Sequence, residues 1–161
     1  MNRNTVDDCI VCRKHNGEGR IAGGAIFENE LIFISHVQLW GENKTHYLGH
    51  LLVVPKRHVA GLADLSDEEA QAVGLYTSRA AKALLATVDI EHIYTLVMGD
   101  HVPHVHVHVI GRYVGAPRGY WGTKVDEWPE APRGDESEID LLAGRLRDYF
   151  SQQYGVLESS R

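Results

Sequence analysis

"HVPHVHVHVIGRY", residues 101–113, places four of the chain's ten histidines within eight positions. From His104 to Val109 histidine and valine alternate without a break. A β-strand sends successive side chains to opposite faces. The pattern therefore predicts a strand over 104–110, with His104, His106 and His108 on one face and the valines turned into a core. Neighbouring histidines on such a face stand about 6.6 Å apart along the backbone, whereas one ion takes imidazole nitrogens at about 2.0–2.1 Å. A straight strand does not converge three such ligands on one ion, so each histidine is expected to do a different job. A solvated strand face or a fortuitous metal-affinity patch explains one histidine better than three in succession.

Working outward, Gly99-Asp100 marks a turn before this strand, and "IYTLVM", residues 93–98, reads as the strand preceding it. "HLLVVP", residues 50–55, is a short apolar strand closed by Pro55. "AIFE" and "LIFIS", with a turn near Asn29, read as a hairpin over 25–35. Ser66 and Glu69 form a capping box. Apolar residues at helical spacing after it (Val73, Thr77, Ala80, Ala81, Leu84, Val88) predict a helix over 67–88. A second helix is expected at about 136–153. Residues 1–22 read as polar and Gly-rich, 36–49 as a loop, and 111–134, rich in Gly and Pro, as a long irregular segment. These elements predict an α+β fold: an antiparallel sheet of about five strands with helices packed on one face. One domain over 1–161 is expected, with a core at 7–113 and a C-terminal loop and helix extension at 114–161.

Composition bounds the function. The chain has 161 residues, 43% hydrophobic and 24% charged, and a net charge of −6, which suits a soluble globular protein. No long basic run is present, so a nucleic acid polymer is not an expected partner. No apolar run approaches about 18 residues, and "MNRNTVDDCIVC" has no hydrophobic signal region, so neither a membrane nor export is expected. Two cysteines spaced C-x-x-C cannot form a disulfide framework and suit a reducing, cytoplasmic location. On spacing alone, Cys9 and Cys12 could be plain thiols, a redox pair or metal ligands.

"HVHVHVI" resembles the signature of the histidine triad family, in which histidine alternates three times with apolar residues. "GHLLVVPKRH" is similar to that family's second signature, a Gly-His strand ending in Pro-Lys-x-His. "CIVC" resembles the cysteine pair of many bacterial members. The resemblance covers roughly residues 7–113. It implies hydrolysis or transfer of nucleoside monophosphates through a covalent nucleotidyl-histidine. By this resemblance His106 is the nucleophile, a role that suits a neutral imidazole near pH 7. His108 and His50 surround the phosphate as donors to its oxygens. His104 lies near the leaving group or binds metal: Cys9, Cys12, His58 and His104 match the ligand set of zinc-containing members. Such a closed four-ligand site is structural, tying the N-terminal segment to the strand of the nucleophile. Many members are homodimers, so a homodimer is expected.

The chain departs from the family pattern at the ligand. Ser35 stands where many members have an aspartate on the ribose hydroxyls, and Met98 where many have asparagine. His101 stands where a serine or threonine commonly assists the phosphate. Recognition by 36–49 or by 111–134, with Arg118 and Trp121, is the expected compensation: arginine can bind phosphate bidentately and an aromatic ring can cover a base. The expected partner is a small-molecule nucleotide such as a nucleoside phosphoramidate, a dinucleoside polyphosphate or a related nucleotide. Simple adenosine phosphoramidate is not expected to be preferred. Two other classes fit the same residues: a nucleotide-binding regulatory module with little turnover, and a zinc-dependent structural or interaction protein.

Overall fold

A computed structural model of the chain describes residues 6–39 and 41–155. Residues 1–5, Trp40 and 156–161, which fall in the segments 1–22, 36–49 and the C-terminal extension above, lie outside the described residues. The main sheet is antiparallel and five-stranded. It contains β1 (Phe27–Glu28), β2 (Ile32–His36), β4 (His50–Pro55), β5 (Ile90–Leu96) and β6 (Val107–Tyr113) in the order β1-β2-β4-β6-β5. A second, two-stranded ribbon joins β3 (His46–Tyr47) to β7 (Arg133–Gly134). The expected α+β fold is present, but the 36–49 segment is not all loop, because β3 pairs with the end of the 111–134 segment.

Two long helices, α2 (Asp67–Thr87) and α3 (Glu136–Tyr154), cover one face of the sheet. Their starts are fixed locally. Ser66 Oγ accepts from the Glu69 amide while the Glu69 carboxylate accepts from the Ser66 amide. Asp135 and Glu138 repeat this reciprocal pattern at the start of α3. Val73, Ala80 and Leu84 of α2 and Ile139, Leu142 and Leu146 of α3 are buried at helical spacing. They meet Ile32, Ile34, Leu51, Val53, Val107 and Val109 of the sheet. Burying one such aliphatic side chain is worth about 1.5–3 kcal/mol, so this face carries much of the stability.

The other face is built differently. A short helix, α1 (Ile10–His15), lies over it at the β2 side, in a segment that the sequence marks only by its cysteines. At the β5 side Tyr47, Ile110, Val125 and Ala131 form a second small core with Tyr94, Leu96 and Trp128. This core anchors the 111–134 segment.

The histidine strand starts later than its alternation predicts, at Val107 rather than His104. Its neighbour β4 ends at Pro55, which has no N–H to continue a ladder. The last β4–β6 pair is accordingly Val53 with Val107. Upstream, the Val105 amide instead donates to the Val59 carbonyl at 2.8 Å, and the His104 amide to Val102 at 2.8 Å. β5 likewise runs from Ile90 to Leu96 rather than from 93 to 98. Gly111 sits where a Cβ would lie 2.6 Å from Ile90, so only glycine fits at that crossing of β6 and β5.

Candidate active site and metal cluster

The triad splits just upstream of the strand, between His104 and His106. His106 and His108 line a cavity of about 550 Å³ with Ile10, Met98, Gly99, Asp100, His101 and Val102. Their ring centroids are 4.9 Å apart. His104 turns away from this cavity and is fully buried. The expectation that all three share one face holds for two of them; His104 and His106 both precede the ladder, and only His104 takes another direction.

Hydrogen bonding orients each ring. His106 Nδ1 lies 2.6 Å from the His104 carbonyl. A carbonyl only accepts, so Nδ1 carries a proton, and in the neutral ring the lone pair lies on Nε2. His108 Nδ1 pairs with His50 Nε2 at 2.8 Å, leaving His108 Nε2 with no hydrogen-bond partner among the described residues. Burial, with neighbouring His108, His46 and His36, pulls His50 down to about 2. Burial and the adjacent His106 take His108 down to about 4. These rings are neutral near pH 7, as donors and acceptors of single protons must be. Gly49, at φ 90°, makes the turn that delivers His50, a backbone conformation that favours glycine.

The row of imidazoles continues beyond the family signature. His46 lies 5.6 Å from His50 and 6.2 Å from His36, centroid to centroid. His36 is fully buried, donates from Nδ1 to the Val37 carbonyl at 2.8 Å, and burial lowers it to about 4. Sequence reasoning missed both residues, because neither stands in a repeated pattern.

Beside the histidines a second, smaller cavity of about 60 Å³ lies between α1 and the sheet. Phe33, Ser35, Leu52 and Val54 form its floor and Ile10, Val11, Lys14 and His15 its wall, with Ile21 and Gln38 at the margin. Ser35 lines this smaller cavity and not the one that holds His106 and His108. The 36–49 segment reaches the smaller cavity through Gln38, whose amide is occupied by the Ala22 N–H at 2.7 Å and the His36 carbonyl at 2.7 Å. Ile10 is common to both cavities. Arg118 and Trp121, expected at the ligand, line neither cavity. Trp121 is instead held by its own segment: its indole N–H donates to the Ala116 carbonyl at 2.9 Å, and the guanidinium groups of Arg112 and Arg118 lie 3.7 and 5.5 Å from its ring.

On the far side of His104, Cys9, Cys12, His58 and His104 come together with all ligand atoms within 4.8 Å of one another. His104 Nδ1 lies 3.5 Å from Cys9 Sγ and 3.4 Å from Cys12 Sγ, and His58 Nδ1 lies 3.4 Å from Cys12 Sγ. His104 Nε2 donates to the Pro55 carbonyl at 2.7 Å, so Nδ1 presents its lone pair to the sulfurs. A ligating histidine whose second nitrogen is held by a carbonyl is the usual arrangement at a metal. The donor set and its closeness fit a metal ion. Without one, burial and the adjacent Cys9 push the Cys12 thiol up to about 12.

The sequence profile of the HIT domain matches residues 24–115, more than half of the chain, and the chain belongs to this histidine triad family. Protein hit of Bacillus subtilis (strain 168) is 28% identical over 142 residues, 83% of this chain and 92% of that protein. Adenosine 5'-monophosphoramidase HINT3 of Mus musculus is 28% identical over 136 residues, 74% of this chain and 78% of that protein. Among solved structures, a Zn-bound histidine triad family protein from Mycobacterium smegmatis has the same fold, with a TM-score of 0.67 and 22% identity over 92% of this chain and 100% of that one.

Proposed function

We propose that the protein is a nucleotidyl hydrolase or transferase acting through a covalent nucleotidyl-histidine at His106. The observation that carries this reading is the His106 Nδ1–H bond to the His104 carbonyl, which makes Nε2 the lone-pair nitrogen of the neutral ring, at a cavity. Nε2 attacks the α-phosphorus of a nucleoside 5'-phosphoryl compound. A P–N bond forms, and the bond to the leaving group breaks with its electron pair, the leaving group taking up a proton. Water, or an acceptor alcohol or phosphate, then attacks phosphorus, loses its proton and frees His106. If His50 Nε2–H donates to His108 Nδ1, then His108 Nε2 carries a proton toward the phosphoryl oxygens. That assignment gives its unpartnered nitrogen a use. His101, exposed on the turn above the cavity, offers another donor. Ser35 is read as a nucleoside contact, supported by its place in the adjoining smaller cavity. The name of the mouse relative supports a substrate with a phosphoramidate or comparable leaving group.

The metal is read as zinc in a closed four-ligand site of Cys9, Cys12, His58 and His104, supported by the donor set and by the zinc-bound relative. With no open position it supplies a fixed junction between chain segments. Metal analysis should find one zinc per chain. A homodimer is supported by the free edge of β5 and by exposed Leu75 and Leu85 on α2 and Met98 beyond β5; sedimentation showing only the 18.0 kDa species contradicts it.

The reading is tested with a panel of nucleoside phosphoramidates, dinucleoside polyphosphates and nucleotidyl sugars. Turnover of any member, lost in His106→Ala, supports it. Nucleotide binding with no turnover across the panel replaces it with the regulatory binding module.

A further inference from the structure

Helix α1 is six residues long, and Cys12 alone among them is buried. An isolated helix in water needs about 12–15 residues to hold. Its N-cap, Cys9, makes no side-chain capping bond. What seats α1 is therefore tertiary: Cys9 and Cys12 reaching His58 and His104, and His15 packed 4.5 Å from Phe33. Yet Ile10, Val11, Lys14 and His15 make the wall of the smaller cavity, and Ile10 also borders the one that holds His106 and His108. At the other end of the same cluster, His104 gives its ring to the sulfurs and its carbonyl to His106 Nδ1. One residue thus links the metal ligands to the orientation of the proposed nucleophile. One pair of cysteines links them to the wall beside it.

We propose that the four-ligand cluster latches the substrate cleft: α1 closes against the open face of the sheet only when Cys9, Cys12, His58 and His104 are drawn together, so that nucleotide and zinc bind cooperatively. His104 is a positioning residue in this scheme, acting through His106 and through the wall. The inference rests on the nucleotide reading above. A simple staple for the whole fold would behave differently, because it would protect both faces of the sheet alike. Coupling between two sites is reciprocal: the factor by which zinc tightens nucleotide binding must equal the factor by which nucleotide tightens zinc binding.

The test uses the full chain, zinc-loaded and zinc-stripped, with the 5'-monophosphates AMP, GMP, CMP and UMP as probes. Dissociation constants are measured by calorimetry, and zinc affinity by competition with a chromophoric chelator at rising nucleotide. Hydrogen exchange is followed on both forms. The latch predicts that stripping weakens the best-bound nucleotide by about tenfold or more. Saturating nucleotide should raise zinc affinity by the same factor. α1 amides should exchange freely in the stripped protein while β4 and β6 amides stay protected. Equal nucleotide affinity in both forms overturns the latch and leaves the functional reading standing. Loss of protection throughout the stripped protein also overturns it, since the metal then holds the whole fold. Failure of all four probes to bind the loaded protein removes the nucleotide reading, and the latch with it.

Discussion

On the face covered by α2 and α3, Ile32, Ile34, Leu51, Val53, Val107 and Val109 meet helix side chains, whereas Phe33, Ser35, His50, Leu52 and His108 of the same strands point the other way. The first group is aliphatic and buried. The second is mixed, borders cavities at Phe33, Ser35, Leu52 and His108, and pairs His50 with His108 at 2.8 Å. The difference shows how one alternating sequence serves two ends. Every second residue supplies transfer free energy from water, and the residues between are released from that duty to carry chemistry. Stability and activity should therefore be separable by substituting neighbours in sequence.

The largest separation is expected at His106. His106→Ala should lower turnover by about 10⁴-fold or more, as removal of a nucleophile does, with little change in a urea melt. His108→Ala should cost about 10²–10³-fold, as loss of a single donor to developing charge does. Leu51→Ala, one position from half-buried Leu52 and fully buried itself, should instead cost about 2–5 kcal/mol of stability. The kinetic constants of the folded protein should stay near those of the parent. If His106→Ala melts as early as Leu51→Ala, the two faces are not separable in this way.

A smaller effect sharpens the polar side. His36 is buried and neutral, with its pKa lowered from 6.5 to about 4 chiefly by burial. Above pH 6.5 neither the folded nor the unfolded ring is protonated, so stability is complete there. Between 6.5 and about 4 the unfolded chain takes up a proton that the folded one does not, so stability falls as pH falls. Urea melts should show that decline, and His36→Gln should flatten it by up to about 1.4 kcal/mol per pH unit. An unchanged slope would mean that His36 takes its proton in the folded state. The smallest effect is expected on the 111–134 segment. Trp121→Ala should lose about 0.5–1 kcal/mol from its stack with Arg112 and leave kinetic constants unchanged, because Trp121 lines neither cavity. A substantial rise in KM would bring that segment to the substrate after all.

The two long helices and most of the sheet were legible because their signals are local: the Ser66–Glu69 box, the helical spacing of Val73, Ala80 and Leu84, the alternation after Val107. The Cys9, Cys12, His58 and His104 set was legible only through family resemblance, since no periodicity joins residues 95 positions apart. The late start of β6 was not legible from alternation. It depends on where its partner ends, at Pro55, and that is a property of pairing. The wall formed by α1 was hidden for a related reason: a six-residue helix with one buried residue has too little periodicity to stand out. Arg118 and Trp121 carry an ambiguous signal, because Arg beside Trp reads equally well as a ligand clamp or as an internal stack; the structure places the guanidinium of Arg112 3.7 Å from the Trp121 ring.

The covalent role of His106 is tested most directly by intact-mass analysis of the protein mixed briefly with the substrate panel and quenched. The account predicts a species heavier by one nucleoside monophosphate, mapped to His106 by peptide fragmentation, absent in His106→Ala and decaying as product appears. Turnover without any such adduct, or an adduct that maps elsewhere and persists in His106→Ala, would contradict it.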